Sequence, residues 1–189
     1  MKPRFEHAYV INVLSDDHPG IIAAVGRAVR DLGGNIDACS QTVLSGYFTL
    51  ISIVSVPDDL AAEDLAARIA GRDADGGGLQ VMARKLRLPE GQADAGVESF
   101  VISAFGPDQP GLVLKFSQYL AGKDINITDL YGDRRGDDFV LISQVEIPAR
   151  CDLAMLQADL EDIASRAGYT VRLQHENIFL ATNQLRLKA

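Results

Sequence analysis

The chain has no tryptophan, only two cysteines and three histidines, and its 18 lysines and arginines are outnumbered by 26 aspartates and glutamates. Each shortage excludes something. Cys39 and Cys151 stand in neither metal-ligand nor redox spacing, and a reducing compartment requires no disulfide of them. Cys39 reads as a small buried hydrophobe in a strand. Cys151 reads as the start of a helix, where the dipole would favour a thiolate but no nearby histidine supplies a base. His7, His18 and His175 are scattered, and there is no HExxH, GxxxxGK or GxSxG. The sequence therefore predicts no enzyme, no metal and no cofactor.

A net charge of −8 works against a phosphate backbone, whose binding draws on many lysines and arginines releasing counterions, so no direct nucleic-acid contact is expected. The basic clusters Arg84-Lys85-Leu86-Arg87, Arg134-Arg135 and Arg186-Leu187-Lys188 read as solvated strand, turn and tail residues. Long hydrophobic runs are missing too. The apolar stretch from Ala8 to Leu14 is interrupted by Asn12 and followed by acids, which suits neither a secretion signal nor a membrane span and predicts a cytoplasmic protein.

What is present is an ordinary core-forming composition, 47% hydrophobic over 189 residues, enough for one medium domain or two small ones. A repeat decides between them. Displaced by 91 residues, the sequence matches itself at 13 of the 48 positions from Val10 to Pro57, without a gap. Val10-Ile11 falls on Val101-Ile102, Asp17, Pro19 and Gly20 on Asp108, Pro110 and Gly111, and Asn35-Ile36 on Asn126-Ile127. The periodicity of the apolar residues in each copy gives strand, helix, a two-strand hairpin, helix and strand. The first hairpin turns at Ser45-Gly46 and the second at Arg135-Gly136-Asp137. The order βαββαβ, written twice, predicts an α+β, ferredoxin-like fold: antiparallel sheets with the helices on one face. Domains are expected at 1–88 and 98–189, joined by a polar linker over 89–97. In the tail from residue 175, Ile178, Phe179 and Leu180 suggest packing. Strand edges without partners make a homodimer the expected assembly.

The segments DDHPG (16–20) and PDQPG (107–111) lead from the first strand into the first helix of each copy. Proline suits the first helical position, whereas a glycine directly after it weakens the helix by roughly 1 kcal/mol relative to alanine. Two readings stand side by side. The glycine admits a ligand carboxylate to the free amides at the positive helix end, with Asp17 or Asp108 facing its ammonium, or it relieves crowding while the aspartates cap a turn. His18 corresponds to Gln109, which cannot exchange a proton, so the shared role would be hydrogen bonding. Asn35 and Asn126 read a ligand or satisfy a turn.

The pattern D-x-P-G, a helix of about fourteen residues, and then G-x-N-I or a variant resembles the ACT domains, over about residues 7 to 88 and 98 to 180. The first copy has Gly33-Gly34-Asn35-Ile36; the second departs from the pattern with Lys123-Asp124-Ile125-Asn126-Ile127. The resemblance implies regulatory modules that bind an amino acid near the strand-to-helix loop at domain interfaces. Carried over residue by residue, the contacts are Asp17, His18, Pro19, Gly20, Ile21 and Asn35, and Asp108, Gln109, Pro110, Gly111, Leu112 and Asn126. A chain of two such domains is similar to the glycine cleavage system transcriptional repressor group, which implies a role in amino-acid metabolism exerted through a protein partner, a transcription factor. A regulatory subunit of a separate metabolic enzyme, and an assembly module without ligand, stay open beside it. In the ligand-binding reading an amino acid bridges two domains or two chains and shifts their arrangement.

Overall fold

A computed structural model describes residues 2–72, 78–87 and 96–184, with side chains in the last helix as far as residue 180. The chain divides into two compact units, Met1–Glu90 and Gly91–Ala189. Residues 89–95 of the expected linker, Gly76-Gly77 and the Arg186-Leu187-Lys188 tail lie outside the described residues.

The first unit runs β1 (His7–Asp16), α1 (Ile21–Asp31), β2 (Asn35–Leu44), β3 (Tyr47–Val56), α2 (Ala62–Ala70) and β4 (Gln80–Lys85). The second repeats this as β5 (Val97–Pro107), α3 (Leu112–Gly122), β6 (Asn126–Arg135), β7 (Asp138–Pro148), α4 (Leu153–Ser165) and β8 (Thr170–His175), then adds α5 (Glu176–Gln184). Val97, counted with the linker by sequence, pairs with Pro148 as the first residue of β5.

The two antiparallel sheets have the orders β2-β3-β1-β4 and β6-β7-β5-β8, so the first strand of each copy is central, between the third and the fourth. Alternation along β1 buries Tyr9, Ile11, Val13 and Ser15, and β3 does the same with Phe48, Leu50, Ser52 and Val54. Helix stripes close over them, Ile21, Ala24, Val25, Ala28 and Val29 from α1 and Leu65 and Ile69 from α2. The second unit builds its own core from Ile102, Ala104, Leu141 and Val145 under Leu112, Phe116, Leu120, Leu156, Leu160 and Ala164. The correspondence reaches the irregularities: a register shift falls between Ile36 and Ala38 in β2 and between Ile127 and Asp129 in β6, 91 positions on.

Cys39 corrects an expectation. It is exposed, because the helices cover the start of β2 and leave this edge strand bare beyond Ala38. Cys151 is half-buried against the second core. Among the described residues, no helix is long and apolar enough to cross a membrane.

Helix ends are handled in two ways. At α4 the Asp152 carboxylate accepts from the amides of Ala154 (2.9 Å) and Met155 (3.1 Å), a side-chain cap of about 1 kcal/mol. At the exits of α1 and α3 the chain turns through the left-handed region at Gly33 (φ 68°) and Asp124 (φ 57°). The next amides return to the helix, Gly34 to the Val29 carbonyl (2.9 Å) and Ile125 to that of Leu120 (3.0 Å). The departure from the glycine motif in the second copy is thereby explained, since aspartate tolerates the left-handed conformation better than most residues.

Candidate functional site

Both strand-to-helix loops are tied down identically. The Asp17 amide donates to the Gly46 carbonyl at 2.8 Å, and the Asp108 amide to that of Asp137 at 2.8 Å. Each loop thus rests on the tip of the hairpin that follows in its own copy, a contact between matching positions that sequence reading missed. The in-register turn residues Gly46 and Asp137 were its only signal.

The helices begin two residues later than expected, at Ile21 and Leu112. Pro19 and Pro110 precede them, and Gly20 (φ 108°, ψ −14°) and Gly111 (φ 86°, ψ 4°) are the N-caps, in left-handed backbone. Glycine is therefore required by its dihedral angles and not by a neighbour: a Cβ at either position would meet nothing within 4 Å. Gly20→Ala is expected to cost the first domain about 1–3 kcal/mol from backbone strain alone. Gly26, inside α1 and equally uncrowded, is the control. Gly26→Ala should instead stabilise by about 0.5–1 kcal/mol. Chemical denaturation reads both, and equal effects of the two substitutions would contradict the assignment.

A glycine cap brings no side chain. The first intrahelical bonds run from Ala24 to the Gly20 carbonyl (2.9 Å) and from Lys115 to that of Gly111 (3.0 Å). The amides of Ile21, Ile22 and Ala23, and of Leu112, Val113 and Leu114, head the helices with no side-chain cap and no acidic residue in the first turn. They carry the positive helix end onto an open surface. Ile21 and Leu112 are buried as whole residues in their cores, 2% and 4% exposed, whereas Ile22, Ala23, Val113 and Leu114 beside them are exposed.

Around this common frame the loops differ. Asp108 pairs with Arg134, Oδ2 to Nε at 3.2 Å. The position matching Arg134 is Val43, and Asp17 has no ion-pair partner among the described residues. Gln109 donates to the Ala167 carbonyl at 3.0 Å, which commits its amide to the fold, whereas Nδ1 of His18 lies 2.9 Å from the Asp16 carbonyl.

Asn35 and Asn126 do not join the loops of their own domains. Asn35 pairs with Ser55 and Asn126 with Glu146, at the end of the sheet opposite Asp17 and Asp108, roughly 30 Å away along a ten-residue strand. Asn35 donates to Asp37 at 2.8 Å, and the Asn126 amide lies 3.4 Å from Glu146 Oε2. Burial would raise the Asp37 carboxyl, but hydrogen bonds from Ser55, Asn35 and the Arg4 amide together hold it below the usual carboxylate range.

A cavity of about 350 Å³ lies elsewhere, where the end of α3 meets the start of α4, lined by Tyr119, Lys123, Arg150 and Cys151 among others. There burial and a 2.7 Å bond to Asp159 push the Tyr119 hydroxyl well above its ordinary value. Among the described residues no group of three or more His, Cys, Asp or Glu side chains could hold a metal ion.

Compared with known proteins, the chain matches a model of the ACT domain family twice, over residues 7–81 and 98–174. A UPF0237 protein of Corynebacterium diphtheriae is 51% identical over 57 residues, 30% of this chain and 62% of that protein, so the aligned part spans less than two thirds of that relative. Among solved structures, an unknown protein from Galdieria sulphuraria superposes with a TM-score of 0.73 at 20% identity, covering 89% of this chain and 98% of the other. A candidate glycine cleavage system transcriptional repressor superposes with a TM-score of 0.61 at 19% identity, covering 90% and 98%. At such identities the two structures establish the shared tandem fold.

Proposed function

The chain belongs to the ACT domain family, carrying two such domains in tandem, and from that premise we propose that it is an amino-acid-responsive regulatory protein with no catalytic activity, acting through a protein partner in amino-acid metabolism. One observation carries the reading: two helix starts, 91 positions apart, each headed by a left-handed glycine with no side-chain cap and no acidic residue in the first turn. Such amides suit a carboxylate, since several donors converge where the helix dipole is positive. An aspartate three residues before each glycine supplies the opposite charge for an α-ammonium. Acidic overall charge favours a protein as the partner over nucleic acid.

The two sites are not equivalent in this reading. Asp17 has no ion-pair partner among the described residues, whereas Asp108 already pairs with Arg134. Calorimetric titration of the folded chain with each of the twenty amino acids, glycine included, is expected to give saturable heat with at least one of them. Asp17→Asn should weaken that binding about tenfold or more, because a hydrogen bond to a charged group contributes about 1.5–3 kcal/mol, and Asp108→Asn should weaken it less. Absence of heat with all twenty would end the proposal.

A further inference from the structure

The faces of the two sheets turned away from the helices are treated differently. In the second domain the chain leaves β8 at His175 and enters α5, which lies on that face. Phe179 and Leu180 line a cavity of about 150 Å³ together with Val101, Ile142 and Gln144. Gln144 donates to Glu176 at 2.7 Å, and Nδ1 of His175 accepts the Asn177 amide at 3.2 Å. The row of strand partners beneath is Asp129–Gln144–Val101–Gln174, and Val101 is 6% exposed.

The matching row in the first domain is Ala38–Ile53–Val10–Arg84. It is more apolar than its counterpart, and no helix follows β4 among the described residues. Beside it, on the adjoining row, Ile51 is 51% and Met82 70% exposed. At its margin a cavity of about 470 Å³ is lined, among the described residues, by Val10, Arg84, Lys85, Leu86 and Arg87. Lys85 is held by Asp59 at 2.7 Å. No ion pair of Arg84 or Arg87 is formed among the described residues, although the chain as a whole carries a net charge of −8.

We infer that the outer face of the first sheet, around Val10, Ile51, Ile53 and Arg84, docks an acidic amphipathic helix of a protein partner, much as α5 covers the second sheet. α5 shows within this molecule that a nine-residue helix with a few apolar side chains suits a face of this shape. Exposed apolar side chains supply the driving force for such a contact, and the arginines set the charge of the helix. The inference rests on the reading that the chain acts through a protein partner, and it is independent of ligand binding at the loops.

The probe is a stapled helical peptide copying residues 175–184 of this chain with two glutamates added at its N-terminus. It is titrated, without any amino acid, into the ¹⁵N-labelled full chain. Amide shifts should centre on Val10, Ile51, Ile53 and Arg84. The double substitution Arg84→Glu with Arg87→Glu, at exposed positions that leave the core intact, should weaken binding at least tenfold, and so should lysines in place of the added glutamates. Absence of shifts, shifts confined to the second sheet around Val101, or affinity indifferent to these charges would overturn the inference. So would sedimentation showing that the chain alone forms a dimer which Arg84→Glu with Arg87→Glu dissociates. None of these outcomes bears on the amino-acid calorimetry, so the two proposals fail separately.

Discussion

Leu160→Ala is expected to destabilise the second domain by about 2–5 kcal/mol while leaving the first domain's own core intact. Leu160 is fully buried on α4, between Leu156 and Ala164 on the same stripe, in the centre of a cluster drawn wholly from residues 100–173. Truncation removes apolar contacts and leaves a cavity that a close-packed core closes only in part. The loss is a large fraction of the 5–15 kcal/mol that holds an ordinary domain folded. The first core, built around Tyr9, Ile11, Val25, Val54, Leu65 and Ile69, shares no residue with it. Native-state hydrogen exchange should therefore show lowered protection for α3, α4 and β5 to β8, with β1 to β3 unchanged. An equal fall across both halves would contradict the division into two separately built cores.

Gly34→Ala should have the second large effect, about 3 kcal/mol against the first domain. A Cβ there would lie 2.7 Å from the Ser55 carbonyl oxygen, 2.8 Å from Val56 Cγ1 and 3.1 Å from the Val29 carbonyl oxygen. Two of the three are backbone atoms. Ser55 is fixed by its pairing with Asn35 in β2, and Val29 O already accepts the Gly34 amide, so relief requires moving either the sheet or the helix exit. Denaturation followed by a first-domain probe should move to lower urea. An unchanged midpoint would mean that the exit of α1 yields freely. The second domain carries Ile125 at this position, 4% exposed and part of its core, so the same site is spacious in one copy and closed in the other.

Much of this architecture was legible because the repeat constrains it twice. An offset of 91 residues places strands, helices and hairpin turns in correspondence, and alternating apolar residues identify the inner face of each strand; the matching register shifts came only with the structure. The glycine of D-x-P-G was legible as unusual but its cause was not, since composition does not reveal a φ of 108° or the empty space around it. The family pattern carries Asn35 together with the loop but does not give the distance between them. The antiparallel path of β2 takes Asn35 to the far end of the sheet. Cys39 was misread because a β-rich segment gives no sign that its strand is an edge the helices do not cover. The tail was expected to pack, but its helical form was hidden: α5 starts directly from β8, and the His175 ring receives the Asn177 amide in a role more often filled by serine or aspartate.

The central claim concerns six backbone amides, and NMR sees them individually. In a titration of the ¹⁵N-labelled chain with the amino acid that calorimetry selects, the largest shifts should fall on Ile21, Ile22 and Ala23, with Leu112, Val113 and Leu114 responding at higher concentration. Saturable shifts centred on the cavity of Tyr119, Lys123 and Cys151 instead, with those six amides unmoved, would contradict the account.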